Sequence, residues 1–225
     1  MNTQIPKATT RADRLALALR SGDPSARLQA ALTAGTTPEP DFVGPLVARC
    51  GVEPDFSVRD MLTWALTRMP RELALPAVLA ELDSPVALAR SQALHTLSKF
   101  GGPATWPALR TEFLHDADPD IARTAWRAAV AVAPEAAHAD LARELASELG
   151  RGDAETMRSL SRALAALGDA AEPVVAAGTS DPDPAVRIHA LATARLLEDP
   201  DASFALDPGD ASRMATAYSG SRGAH

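Results

Sequence analysis

The sequence predicts an all-α solenoid of about six helix pairs. Three observations predict it. The 225 residues include 48 alanines and only 4% aromatics, a composition that suits helices and argues against a sandwich or barrel. An aspartate precedes a helical pattern six times, at Asp23, Asp55, Asp83, Asp118, Asp153 and Asp183, in steps of 32, 28, 35, 35 and 30 that average 32. Regular steps of this size are the signature of repeat architectures. A second period agrees: Pro45-Leu46-Val47, Pro76-Ala77-Val78, Pro107-Ala108-Leu109 and Pro173-Val174-Val175 follow one another at 31, 31 and 66 residues.

The first pair is read over 11–20 and 24–34. Asp23 caps its second helix, because a carboxylate accepts the orphan N–H groups of a first turn, and Pro24 takes the N1 position, where no N–H is needed. The second pair covers 40–50 and 56–68, with Pro45 early in the first helix and Asp55 as the cap. The third covers 70–82 and 85–99, started by Asp83 and Ser84-Pro85, and the fourth covers 103–114 and 119–132, started by Asp118-Pro119. The fifth, 135–149 with 153–167, has Asp140-Leu141-Ala142 in place of the proline motif, and the sixth covers 170–179 with 183–197.

With each aspartate as position zero, positions +3, +7, +10, +11 and +14 are apolar or small. Leu160, Ala163, Leu164 and Leu167 show the pattern, as do Val86, Ala93, Leu94 and Leu97, so one face of each second helix is buried. Gly35, Gly101 and Gly168 fall where left-handed C-caps belong. No linker interrupts the array, so 11–197 is read as one domain. Residues 1–10 are expected to be a disordered N-terminal tail. Residues 198–225 are expected to be a capping segment, burying Phe204, Leu206 and Met214, followed by a disordered tail.

Charge narrows the function classes. The net charge is −7 and the pI about 5.2, which opposes bulk affinity for nucleic acid. No apolar run approaches the roughly 18 residues of a membrane span, and the first ten residues lack a secretory h-region. The single cysteine, Cys50, excludes an intramolecular disulfide and a multi-cysteine zinc site. A monomer in the reducing cytoplasm is the expectation.

Asp-Pro-Asp-Pro-Ala-Val-Arg at 181–187, the run from Leu160 to Gly168, and the Pro-Ala-Leu/Val helix starts resemble HEAT repeats, most closely the short bacterial type also found in phycobilin lyases. The alanine and arginine bias, with only Lys7 and Lys99 as lysines, is similar to actinobacterial HEAT-repeat proteins. The resemblance covers about 11–197. It implies a right-handed α-solenoid with first helices convex and second helices lining a concave face. It also implies a non-enzymatic scaffold, in some relatives an accessory of a MerR-type transcription regulator. HEAT units often carry an arginine at +4 that pairs with a neighbouring turn aspartate. Arg27, Arg59 and Arg187 fit, whereas Arg90 stands at +7 and Arg123 and Arg158 at +5.

On that architecture, positions +5, +9 and +12 face the concavity. They contain Trp64, Gln92, His95, Arg123, Arg127, Arg158 and Arg162, the candidate partner-binding residues. Arg123 and Arg127 stand one turn apart, as do Arg158 and Arg162 in the next repeat, so four guanidiniums form a square on adjacent helices. The mapped second helices carry net positive charge and the first helices net negative charge. A basic lining in an acidic protein suits an acidic peptide or protein surface. The bland alternative is that Arg123 and Arg158 join a structural ladder and the others are simply solvated.

Catalytic patterns are thin. The five histidines include no i,i+4 pair, and Asp116, Asp118 and Asp120 imitate the start of a calcium loop but are followed by Ile121 where glycine is required. No Gly-rich phosphate loop or nucleophile elbow occurs. No catalytic residue, metal site or cofactor is therefore expected. One enzyme reading is kept as the alternative, a nucleic-acid-binding HEAT protein of the AlkD-type DNA glycosylase kind. It rests on Asp60 and Trp64 on one helical face, with Arg123 and Trp126 two repeats on.

Overall fold

A computed structural model describes residues 10–102, 105–199 and 204. The chain falls into two compact units, 1–100 and 101–225. The first holds α1 (Arg11–Ala18), α2 (Pro24–Thr36), α3 (Val43–Cys50), α4 (Phe56–Arg68), α5 (Arg71–Ala80) and α6 (Ala87–Phe100). The second holds α7 (Thr111–Leu114), α8 (Pro119–Val132), α9 (His138–Ala146), α10 (Ala154–Ala166), α11 (Glu172–Gly178) and α12 (Pro184–Glu198). No strand occurs among the described residues. Leu206 and Met214, expected in a capping segment, lie outside them.

Five of the six aspartates cap as expected. Asp23, Asp55, Asp118, Asp153 and Asp183 accept first-turn N–H groups of α2, α4, α8, α10 and α12 at 2.8–3.0 Å. The first helix of the fourth pair is shorter than the sequence suggests. Gly101 and Gly102 turn the chain with φ of 60° and 86°, and Pro107 withholds the N–H that would continue a helix. A 3-10 turn, Trp106–Ala108, and the four residues of α7 stand in its place.

The third repeat corrects a register. Asp83 closes a 3-10 turn, Glu81–Asp83, and Ser84 accepts the Val86 N–H. The first backbone bond of α6 runs from Arg90 N to Val86 O, the same bond that runs to the capping aspartate in the other second helices. Position zero is therefore Val86, three residues later than Asp83. The steps become 32, 31, 32, 35 and 30. Val86, expected to be buried, is 45% exposed, and Arg90 moves into the +4 slot.

That slot has one structural job. Arg27 donates to the carbonyls of Ser21 and Gly22, Arg59 to those of Glu53 and Pro54, and Arg187 to those of Asp181 and Pro182. Arg90 donates to Ser84 O at 2.9 Å. The partners are turn carbonyls five and six residues upstream, rather than the turn aspartates that the resemblance implied. A guanidinium fits because its fork satisfies two carbonyls that a turn leaves unpaired.

Arg27 reaches further. Its Nε and a terminal nitrogen grip the fully buried Glu53 carboxylate, both at 2.8 Å, and Arg49 adds a third bond at 2.7 Å. Burial alone would raise the Glu53 pKa. The bonds from Arg27, Arg49 and the Asp55 N–H outweigh it and hold the group at about 2.

In the corrected register a polar triad recurs. In the first unit Gln92 donates to Thr63 Oγ at 2.9 Å, which meets Thr96 Oγ at 3.2 Å. In the second, His189 Nε2 lies 3.0 Å from Ser161 Oγ, which meets Thr193 Oγ at 2.7 Å. Each triad takes +8 from one second helix and +6 and +10 from the next. All six residues are buried. Gly150 N donates to His189 Nδ1, so the neutral ring carries its proton on Nε2 and points it at Met157 O, 2.8 Å away. Burial pushes the His189 pKa down to about 4.

Apolar faces fill the rest. Leu46, Leu62, Leu66, Leu94 and Leu97 are fully buried in the first unit, and Ile121, Trp126, Leu145, Leu160 and Leu164 in the second. Each such side chain contributes about 1.5–3 kcal/mol.

Candidate functional site

Helices α8 and α10 pack side by side in the second unit. The buried stripe of α8 runs through Ile121, Ala122, Ala125, Ala128, Ala129 and Val132. That of α10 runs through Leu160, Ser161, Ala163 and Leu164. Arg127 and Arg162, both at +9, stand off these stripes and are exposed, as their spacing predicts. Arg158 is exposed as well.

The four arginines of the expected square divide in two. Arg123 is paired, with Asp120 one turn back and with Glu155 of α10 at 2.7 Å. It is therefore a strut between helices, and its partners are not the turn aspartates Asp118 or Asp153 that the sequence suggested. Arg127 lies along α8, donating to Arg123 O and Thr124 Oγ at 3.2 Å each. Although the residue as a whole is exposed, its guanidinium lies back along the helix, and partial desolvation there, then the Arg123 charge, lower its pKa. Arg158, expected to meet a turn aspartate, stands 5.8 Å from the ring centroid of Phe204. Arg162 has no hydrogen-bonding or ionic partner among the described residues. None of Arg127, Arg158 and Arg162 meets a carboxylate there.

Trp64, Gln92 and His95 belong to the first unit. Trp64 is 38% exposed and lies on Gly35, where an added Cβ would stand 2.2 Å from the indole. Gly35 is thus a helix-packing glycine inside α2, not the C-cap expected of it, whereas Gly101 and Gly168 do adopt positive φ. Gln92 is buried in its triad and offers no surface. The three-residue register shift is the reason, and it puts His95 at +9 instead. His95 is part-exposed, with Nε2 3.9 Å from Asp60.

Other side chains lack reactive settings. Cys50 is buried, and burial pushes its thiol up to about 12. Trp126 is fully buried, its indole N–H donating to Leu114 O at 2.8 Å. Among the described residues no three His, Cys, Asp or Glu are grouped to hold a metal, and no helix is long and apolar enough to cross a membrane.

Three features escaped the sequence reading. The triads needed the corrected register to be seen. A second is the cluster of His115 between Glu148 (2.6 Å) and Glu144 (3.1 Å), with Arg151 on Glu148. The bond to Glu148 leads in raising the His115 pKa. The third is an open groove of about 630 Å³ between α1 and α2, floored by Leu15, Ala30, Ala34 and Phe42 and edged by Arg11 and Glu39.

Residues 45–131 match the family model of HEAT repeats. No curated protein matches the sequence. Among solved structures, a designed armadillo repeat protein is similar at 16% identity and TM-score 0.40, over 82% of this chain and 98% of that one. Human deoxyhypusine hydroxylase, in complex with glycerol, is similar at 18% and 0.44, over 91% and 94%. The complex of CpcE and CpcF of phycocyanin lyase from Nostoc sp. PCC7120 is similar at 17% and 0.39, over 96% and 99%. With TM-scores below 0.5, these likenesses say nothing of what this chain does. The repeat that the capping aspartates and turn-gripping arginines trace matches the HEAT repeat over residues 45–131.

Proposed function

We propose that this protein is a non-enzymatic scaffold that takes an acidic peptide or protein surface on the arginine face of α8 and α10. One observation carries the reading. In a chain with 29 acidic and 22 basic residues, Arg127, Arg158 and Arg162 are exposed on neighbouring helices with no carboxylate partner among the described residues. Guanidiniums left open in an acidic protein are suited to a partner's carboxylates, which they grip in bidentate fashion. The paired Arg123 supports this by fixing the two helices from which the others project.

Nucleic acid is less well supported, since a net charge of −7 repels a phosphate backbone at long range. The glycosylase alternative loses one of its elements, because Trp126 is sealed in the core and has no face to offer a base. The test is fluorescence anisotropy with labelled acidic, neutral and basic peptides that lack aromatic residues. Acidic peptides should bind the full chain, and Arg127→Ala with Arg162→Ala should weaken them about tenfold or more. Equal binding by all three classes, or binding indifferent to both substitutions, overturns the reading.

A further inference from the structure

The stretch after α12 has the composition of a ligand for the arginine face. Residues 198–210 hold five carboxylates, on Glu198, Asp199, Asp201, Asp207 and Asp210, with no lysine or arginine. They hold one aromatic residue, Phe204. Phe204 is half-buried, and its ring lies 5.8 Å from the Arg158 guanidinium carbon. The same ring meets buried His189 edge-on, at 6.2 Å and 83°. Phe204 therefore sits against the side of α10 from which Arg158 projects, and Asp201 and Asp207 stand three residues from it on either side in sequence.

The chemistry of the two parts is complementary. A guanidinium over an aromatic ring is held by the ring's quadrupole, and open guanidiniums nearby attract flanking carboxylates. A tethered segment also acts at an effective concentration in the millimolar range, so even a weak self-contact competes with a free partner.

We propose that residues 198–210 are an internal ligand of the arginine face, and that the partner of this face is an acidic peptide anchored by an aromatic side chain, which must displace Phe204 from Arg158. The proposal rests on the reading of that face as an acidic-peptide site and names the kind of peptide. Its distinguishing feature is the aromatic anchor. Charge alone would attract any acidic chain, whereas the Arg158 and His189 contacts select a ring.

The experiment uses the full chain and a fluorescein-labelled peptide of residues 198–210, followed by anisotropy. Wild-type protein, occupied by its own segment, should bind weakly. Phe204→Ala should bind about tenfold more tightly, because the tethered competitor is weakened. Adding Arg158→Ala should remove that gain. A peptide with alanine in place of its phenylalanine should lose about tenfold on the Phe204→Ala protein. Phe204→Leu retains apolar cover over His189 while losing the ring. With an unchanged melting curve, it should show the same gain even if Phe204→Ala perturbs folding. Equal affinity of wild type and the Phe204→Leu protein, absence of binding to both, or an alanine peptide as good as the original each overturn the proposal. If the non-aromatic acidic peptides bind in an Arg127- and Arg162-dependent way while this peptide does not, the aromatic anchor alone is refuted. If no acidic peptide binds, the reading of the face falls with it.

Discussion

The two units solve one packing problem with different chemistry. Each links adjacent second helices through a buried polar triad at +8, +6 and +10. The first unit uses an amide, Gln92, at +6, and the second an imidazole, His189. An amide has no proton to gain in the range where proteins fold, so the first triad is indifferent to pH. The imidazole is not, because its Nδ1 already accepts the Gly150 N–H and a second proton would have to face that donor. The first unit carries its pH sensitivity elsewhere, in the Glu53 carboxylate between Arg27 and Arg49. Equivalent positions in a repeat can thus be equally well packed and yet respond to different conditions.

The largest effect expected is from Glu53→Gln. It leaves two arginines facing a neutral group in the first unit, and breaking one side of a buried ion network costs about 3–5 kcal/mol. Urea unfolding would check it, and a loss well under about 1 kcal/mol would mean the network is solvated. Its sign with pH is definite. Glu53 sits at about 2, below an unfolded value near 4.5, so its contribution is complete above the unfolded value. It drains away as pH falls through about 2. The Gln variant should have a flatter acid limb there.

Next come Leu66→Ala and Leu164→Ala, which empty the same +11 slot in each unit. Both leucines are at most 1% exposed, so each substitution should cost about 2–5 kcal/mol. A large inequality between them would show that the two units differ in how far their cores collapse around a cavity.

A smaller and more diagnostic change is His189→Gln, which gives the second triad the group found in the first. The folded-state value near 4 lies below the ordinary 6.5, so the unfolded chain takes up a proton first. Stability from this site is complete above about 6.5 and is lost as pH falls towards 4. Thermal melts at pH 7 and pH 5 should differ less for the Gln variant than for wild type. An unchanged difference would point instead to other groups, and the His115 cluster is distinguishable because it acts in the opposite sense. His115 has a raised value, so its contribution is present at low pH and lost as pH rises through that value.

The smallest effect is from Arg127→Ala with Arg162→Ala. Both side chains are exposed and without carboxylate partners among the described residues, so the melting temperature should stay within a degree or so. A marked drop would make them structural.

Much of this was legible from spacing. Five capping aspartates and the helix pairs they begin follow from the need to satisfy first-turn N–H groups, a local rule that a sequence displays directly. Arg127, Arg162 and Trp64 were legible as surface residues because +9 lies farthest from the buried stripe. The third repeat misled because Asp83, Ser84 and Pro85 all carry helix-start chemistry, while the helix begins after Val86, which has no capping side chain. The backbone bond from Arg90 N to Val86 O and the Arg90 side-chain contact with Ser84 O reveal the frame. Gln92 was misplaced by the same slip. Gly35 was misread because a glycine under an indole looks the same in sequence as one at a helix end, and Trp64 is 29 residues away. The ring beside Arg158 was invisible for the same reason, since Phe204 lies beyond the last repeat.

The arginine that grips turn carbonyls five and six residues upstream also sets a rule for how such a chain can change length. Between the guanidinium and its two acceptors the backbone works as a ruler, so one inserted or deleted residue moves the carbonyls out of reach. The junction from a second helix to the next first helix carries no such gauge. The steps that end at a turn with the arginine, of 32, 31 and 30 residues, differ in length outside that gauged turn, and the step of 35 ends at Asp153, where Met157 takes the arginine's place. Drift in length, and any grafted loop, is therefore channelled to one edge of each repeat, while the other edge stays in step.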